Sequence, residues 1–300
     1  MNFQGFVEEI YSCIPDITGK TWATNWILGD EIVEKDGGIW LNTEFDKGNF
    51  WAWTTVSWIS YLDHSSANTN PSSPWDKGMW PLSWHAIRKA NMGLENLDKL
   101  VDATNEEYNT LKGQLLFFRG FFHFQLMQYW GGMPYVDKVL STSELELERL
   151  NCHDMADRIA DDLKEAARLL PINWDNTEVG KLTFNKNQLR ITKAAAWGYL
   201  GKAYLFAGSP LANFESTGSK SFNAEYCKKA ADAFAELLKA VDNGETWIKL
   251  VDFSDYSNLF YSWGRNGALA GYPEAILQAP LYDGWFNGCP WGPASAFQEN

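Results

Sequence analysis

The chain has few of the residues that usually mark a catalytic or metal centre. Its 300 residues include four cysteines, spaced without any C-x-x-C pair. That spacing excludes the usual zinc sites and a disulfide framework, so we interpret the cysteines as ordinary thiols. The four histidines form no H-E-x-x-H, and no P-loop, G-x-G-x-x-G or G-x-S-x-G is present. The sequence therefore predicts no metal, no cofactor and no enzyme.

Positive charge and long apolar runs are also scarce. The formal net charge is −13, with 25 basic against 38 acidic residues, and no basic stripe is present. Nucleic acid is therefore not expected as a partner. No apolar run approaches the roughly 18–20 residues that a membrane-spanning helix needs. Glu8 and Glu9 lie where a signal peptide would need its apolar core, so we expect that a targeting segment has been removed.

Aromatic residues are abundant instead, at 15% of the chain with 16 tryptophans. The densest stretch, from Phe117 to Val136, predicts a helix that ends at Gly131-Gly132, with Pro134 just beyond. Its apolar side chains lie nearly all the way round the helix. Such a helix must be covered by other elements on several sides.

Apolar spacing of three and four predicts further helices on both sides of this one. They are expected over 7–14, 50–62, 84–101 with Ser83 as N-cap, 106–130, 154–170, 192–207 and 224–241. Polar connectors are expected between them at 173–187 and 211–223. The order helix, Gly/Pro stop, insert, helix occurs twice.

The second occurrence contains a tetratricopeptide-like pattern. W-G-Y-L-G-K-A-Y runs from Trp197 to Tyr204, and A-A-D-A-F follows from Ala230 to Phe234. The standard repeat has W-x-x-L-G-x-x-Y and then A-x-x-x-F. The insert here is longer than that repeat allows, so an ordinary helical hairpin stays an alternative.

These patterns predict a mainly α fold of tetratricopeptide-type hairpins with long loop-rich inserts. We expect one domain over 1–300, with a loop-rich N-terminal part (1–82), a helical repeat core (83–243) and a loop-rich last part (244–300). The chain ends without an apparent closing element. We therefore expect it to be a truncated part of a longer protein.

Several tryptophans lie in predicted loops and not in periodic helices. An exposed indole can stack on the C–H face of a sugar ring, while Asp or Asn side chains bind its hydroxyls. Each such tryptophan could instead anchor its loop to the core. We assign ligand binding to eight side chains in two loops: Trp75, Asp76, Trp80, Tyr282, Asp283, Trp285, Asn287 and Trp291.

Polar residues within the predicted helices are expected to have structural roles. His123 lies among phenylalanines and is interpreted as a core residue, and Arg119 is expected to pair with a carboxylate or a helix end. Asn91 is expected to bond to backbone. Asp161 and Asp162 are expected at the surface.

Three segments together resemble the SusD/RagB family. Residues 106–136 are similar to its signature helix, with Arg119 among aromatics and then Gly-Gly-x-Pro, although Trp130 stands where members have Tyr. Residues 84–97, with Ala90-Asn91, resemble the helix that precedes it, and 191–211 resemble the next repeat helix. Gly29-Asp30-Glu31 stands where members usually have Ser-Asp-Glu.

The resemblance implies a SusD-like α superhelix and a non-catalytic lipoprotein on the cell surface, anchored in the outer membrane. It implies capture of an oligosaccharide or another small nutrient for a SusC-like TonB-dependent transporter. Cys13 follows Ile-Tyr-Ser, which is a poor lipobox, so the lipidated cysteine is not visible in this chain.

Two other functions stay open at this point. A tetratricopeptide scaffold would bind a protein or peptide and be indifferent to glycans. A helical glycoside hydrolase would need two facing carboxylates in a cleft.

Overall fold

The structure, a computed structural model, describes residues 3–14, 79–256 and 273–277. Within these ranges the helices are α1 (Phe3–Tyr11), α2 (Met79–Glu95), α3 (Asn105–Trp130), α4 (Cys152–Leu169), α5 (Glu178–Lys181), α6 (Lys193–Ala207), α7 (Pro210–Thr217), α8 (Ala224–Asp242) and α9 (Phe253–Tyr256). Short 3-10 turns occur at Leu97–Lys99, Thr142–Glu144 and Trp174–Asn176. The described residues contain no β-strand, so the mainly α prediction is confirmed.

The main helices pack in chain order. Helix α2 lies against α3, α3 against α4, α4 against α6 and α6 against α8, while α1 contacts both α2 and α3. Because α3 is surrounded by α1, α2, α4 and α6, its apolar residues are buried on several sides, as expected. Helix α3 is thus the central element of the core.

Aromatic packing holds the centre of this array together. The Phe118 ring lies edge-on to Tyr11 of α1, with ring centroids 4.7 Å apart. On another side, Phe121 meets Tyr199 of α6 at 4.8 Å. Each such pair stabilises the fold by about 0.5–1.5 kcal/mol beyond the buried area. Small residues allow the close approach of α4, since a Cβ at Gly120 would lie 3.1 Å from Leu163 Cγ.

The tetratricopeptide-like pattern corresponds to a direct contact between α6 and α8. A Cβ at Gly201 would lie 2.5 Å from Cε1 of Phe234, so the Phe234 ring occupies the space that the glycine leaves. This is the combination of small and large residues that the repeat pattern predicts.

Side chains that accept from backbone N–H groups fix where the helices begin. Thr104 and Glu107 form a capping box at the start of α3, and Thr192 and Asn223 cap α6 and α8. Helix α4 is capped locally by Asn151 and, from α7, by Glu215, whose Oε2 accepts from Cys152 N at 2.6 Å.

Three local predictions are wrong. Ser83 is not an N-cap, because α2 begins one turn earlier at Met79 and buries Ser83 inside it. The helix also ends at Glu95, which leaves Val101 83% exposed. The insert at 211–223 contains helix α7, which begins at a proline that favours the first helical turn.

The predicted polar connector at 173–187 also contributes to the core. Trp174 within it is 1% exposed, and its Nε1 donates to the carbonyl of Ile191 at 2.8 Å. The helix predicted over 50–62 lies outside the described residues.

Candidate functional site

One of the eight predicted ligand-binding residues, Trp80, lies in the described part of the chain. The other seven lie outside the described residues: Trp75, Asp76, Tyr282, Asp283, Trp285, Asn287 and Trp291. The position of Trp80 differs from the expected loop. It lies in the first turn of α2 because that helix begins at Met79.

Trp80 belongs to a group of three indoles that we call the tryptophan cluster: Trp80, Trp84 and Trp130. The Trp80 ring lies 5.5 Å from Trp84, one turn along α2, and 5.0 Å from Trp130 at the end of α3. Both contacts are edge-on, the geometry that aromatic quadrupoles favour. All three side chains are half-buried and pack against the core. Trp80 thus anchors the start of α2, and a ligand contact by its remaining exposed surface stays a prediction.

The sequence analysis did not place Trp84 and Trp130 beside Trp80. For Trp84 a signal was present, because residues four apart share one helix face. It was missed because the helix was expected to start at Trp84. Trp130 comes from a different helix, and its proximity follows from tertiary packing alone.

The segment after α3, residues 131–139, holds the Trp130 end of the tryptophan cluster in place. Gly131 ends the helix with φ +70°, and Arg149 Nη2 donates to the carbonyl of Trp130 at 2.9 Å. A Cβ at Gly132 would lie 2.2 Å from the carbonyl oxygen of Leu150. Gly131 is therefore required for its left-handed backbone conformation, and Gly132 is required because the backbone at Leu150 leaves no room for a side chain.

A buried ion pair fixes the continuation of this segment. Arg119 donates from Nε and Nη2 to the two oxygens of Asp162, each at 2.6 Å, and their side chains are 12% and 9% exposed. Arg119 Nη1 donates to the carbonyl of Asp137 at 2.9 Å and to Asn91 Oδ1 at 3.1 Å. The hydroxyl of Tyr135 donates to Asp162. Burial by itself lowers the pKa of Arg119, but the hydrogen bonds and charge of Asp162 outweigh it and raise that pKa.

The predicted pairing of Arg119 with a carboxylate is confirmed, but the surface position expected for Asp162 is wrong. Asp161 is exposed, whereas Asp162 faces Arg119 of α3 and is 7% exposed as a whole. The missed signal was the helical spacing of Asp162 with Met155 and Ile159 on the buried side of α4.

Asn91 and His123 complete the attachment of the segment. Asn91 Nδ2 donates to the carbonyls of Val136 and Lys138 at 3.0 and 3.1 Å, which confirms its predicted backbone role. His123 Nε2 accepts from Val136 N at 3.0 Å, so its Nδ1 carries the proton and donates to the carbonyl of Arg119 at 2.8 Å.

His123 is therefore the core residue that the sequence predicted, and the structure shows in addition that it is neutral. Burial, followed by the charges of Arg119 and Arg158, lowers its pKa to about 3. An imidazole held neutral in this way positions the 131–139 segment and is not protonated at Nε2 near neutral pH.

The described residues contain no group of three or more His, Cys, Asp or Glu side chains that could hold a metal ion. No described helix is both long and apolar enough to cross a membrane.

Comparison with known proteins assigns the family. A SusD-like family model described as "Starch-binding associating with outer membrane" matches residues 41–205, which is more than half of the chain. The chain belongs to the SusD-like family. The matched region contains the tryptophan cluster, the Gly-Gly segment and the Arg119–Asp162 pair.

Relatives of this SusD-like chain agree with the assignment. It is 28% identical over 139 residues to "SusD-like protein P2" of Formosa agariphila, covering 44% of this chain and 25% of that protein. The SusD-like chain thus matches about a quarter of the length of this curated relative.

Solved structures show the same fold. A SusD-like protein from Bacteroides fragilis matches with a TM-score of 0.60 and 19% identity over 93% of this chain and 44% of its own. A SusD superfamily protein from Bacteroides thetaiotaomicron matches with a TM-score of 0.61 and 16% identity over 90% and 53%. The predicted SusD-like helical fold is confirmed.

Proposed function

We propose that this chain is part of a cell-surface protein that binds an oligosaccharide and delivers it to a SusC-like TonB-dependent transporter, without catalysis. The observation that carries the proposal is the match of residues 41–205 to a family described as starch-binding and associated with the outer membrane. That description names binding and no reaction. Lipid anchoring of the full-length protein at the cell surface is part of the proposal.

The proposed glycan contacts are the loop aromatics and their polar neighbours. Trp80 supports the assignment because its indole joins two others into a half-buried aromatic surface. Indoles at such a surface give apolar area for the C–H face of a sugar ring. The other seven predicted residues would add stacking and hydroxyl contacts on the same principle.

The helical scaffold supports a binding role in a second way. The 131–139 segment is attached to α2 and α3 because Asn91 and Arg119 donate to its carbonyls and His123 accepts from Val136 N. It is attached to α4 because the Tyr135 hydroxyl donates to Asp162. A segment that is already held in place loses less conformational entropy when a ligand binds, and this favours affinity. We infer that the Arg119 network preorganises the aromatic surface at Trp130.

Affinity gel electrophoresis against a panel of polysaccharides tests the proposal. The variant combines Trp75→Ala, Trp80→Ala, Trp285→Ala and Trp291→Ala. We expect wild-type protein to be retarded by at least one glycan. The variant should migrate freely, with a helical CD signal that falls by no more than the first turn of α2, which Trp80 anchors. A control variant, Phe214→Ala with Phe222→Ala, removes aromatic side chains that are 49% and 69% exposed elsewhere and should be retarded like wild type.

The possible results distinguish the proposed glycan site from the two other functions, a tetratricopeptide scaffold and a glycoside hydrolase. Full retardation of the quadruple variant would show that the site assignment is wrong. A wild-type protein that ignores every glycan and instead binds a defined peptide would favour the tetratricopeptide scaffold. Release of reducing sugar from any polysaccharide would favour the hydrolase.

A further inference from the structure

Helix α8 ends at an Asn-Gly pair that the proposed function does not use. Asn243 follows Asp242, the last residue of α8, and Gly244 comes next. Both residues are exposed. In an Asn-Gly pair the side-chain amide is open to attack by the next backbone nitrogen, because glycine has no Cβ to shield that nitrogen. The end of α8 is therefore a candidate site of chemical modification.

The chain beyond α8 forms a hydrogen-bonded cap. Gly244 has φ +69°, and its N–H donates to the carbonyl of Val241 at 3.0 Å. Glu245 N donates to the carbonyl of Ala240 at 2.9 Å. A left-handed glycine with these two bonds is a Schellman motif, a common helix end. A Cβ at Gly244 would meet no atom within 4 Å, so hydrogen bonds and not packing hold this residue in place.

The same cap keeps the reacting groups apart. Asn243 has a right-handed helical conformation, with φ −77° and ψ −6°. Its ψ must rotate well away from that value before the Gly244 nitrogen faces the Asn243 side-chain carbon Cγ. The side-chain amide is also held, since Asn243 Nδ2 donates to Glu245 Oε1 at 3.0 Å. Reaction therefore requires the cap to open, and exposed helix ends open by local fraying.

We propose that Asn243 is a site of spontaneous deamidation, and that opening of the α8 cap sets its rate. Hydroxide removes the proton from the Gly244 backbone nitrogen, which attacks Cγ of Asn243. The Cγ–Nδ2 bond breaks, and ammonia leaves with a proton from water, which restores the hydroxide. Water then opens the cyclic imide to give aspartate or isoaspartate at position 243. No oxidant or reductant is involved.

Either product weakens the end of α8. Aspartate adds a carboxylate where the helix dipole disfavours negative charge. Isoaspartate lengthens the main chain by one carbon, so the two cap bonds no longer fit together. Leu237 of α8 packs with Ala194 and Ile248 in a small cluster of buried residues, and Val241 packs against that cluster. Deamidation is therefore expected to loosen α8 from the segment that follows it.

Peptide mapping by mass spectrometry after incubation at pH 8.5 and 37 °C tests the site. Trypsin releases residues 240–249 as one peptide, because Lys239 and Lys249 flank it, and Asn243 is its only amide side chain. Wild-type protein should accumulate aspartate and isoaspartate in this peptide. Asn243→Gln should not, because its longer side chain closes the ring far more slowly. Asn185 is the internal control, since it is exposed but followed by Lys186, and should keep its amide.

The same incubation in guanidinium chloride tests the role of the cap. The unfolded chain has no cap, so we expect the native protein to react roughly 10–100-fold more slowly than the unfolded one. Equal rates in the two samples would show that the cap does not control the reaction. An intact amide in native protein after a hundred half-lives of the unfolded reaction would show that Asn243 is not a site. Either result overturns the proposal.

Discussion

Replacing Asp162 by alanine should destabilise the protein strongly, because it leaves the Arg119 guanidinium buried without its counter-charge. The pair is bidentate, and neither side chain is more than 12% exposed. Removing one partner of a buried ion pair typically destabilises a protein by about 3–5 kcal/mol. Tyr135 loses its acceptor in the same variant, so we expect a value in the upper half of that range.

The adjacent residue provides a matched control. Asp161 has the same side chain on the same helix, but it is 75% exposed and its ion-pair contact is to Lys164 at 3.7 Å. Asp161→Ala should change stability by no more than about 0.5 kcal/mol. A domain of 150–250 residues loses roughly 2–4 °C in Tm per kcal/mol. With a loss of about 4–5 kcal/mol, the Asp162 variant should therefore melt about 8–20 °C below wild type, and the Asp161 variant within about 2 °C of it.

Urea denaturation and thermal melts followed by CD at 222 nm measure both variants. A double variant, Arg119→Met with Asp162→Leu, tests the cause, since replacing both charges by apolar groups of similar size is far less destabilising than breaking the pair. We expect it to be more stable than Asp162→Ala alone. Equal stability of the two alanine variants, or a double variant that is no more stable than Asp162→Ala, would refute the buried-pair explanation.

Two further predictions concern the same helical core. His123 has its pKa lowered to about 3, against about 6.5 when unfolded, so its contribution to stability is present above pH 6.5 and is lost by about 1.4 kcal/mol per pH unit as the pH falls toward 3. Urea titrations at pH 7.5, 5.5 and 4.5 should show this slope in wild type and a shallower one in His123→Gln, and parallel slopes would contradict it. Gly201→Ala should destabilise by about 1–3 kcal/mol because its Cβ would lie 2.5 Å from Phe234. Phe234→Leu added to Gly201→Ala should recover part of that loss in the same melts, and no recovery would show that another contact is responsible.

The helical elements were largely predictable because their signals are local. The stop of α3 depends on Gly131, which ends it with a positive φ, and the capping residues Thr192 and Asn223 lie beside the helices that they cap. The start of a helix was predicted wrongly where a local capping pattern competed with packing against a distant part of the chain. Ser83 looked like an N-cap, but burial of Met79 against the core extended the helix by a turn.

The candidate sites were predictable only in part. The sequence selected Trp80 for its type and position, whereas its neighbour Trp130 is 50 positions away and meets it only because α2 packs on α3.

The sequence by itself determined that the chain is helical, where the long helices α3, α4, α6 and α8 end to within one residue, and that α3 must lie inside. Those properties follow from apolar periodicity, glycine and proline, which act over one or two turns. Only the tertiary structure decided that Asp162 is buried and Asp161 is not, and that Trp130 of α3 meets Trp80 of α2. Buried charge pairs and aromatic clusters of this kind depend on residues far apart in the chain, so they are settled when the helices pack.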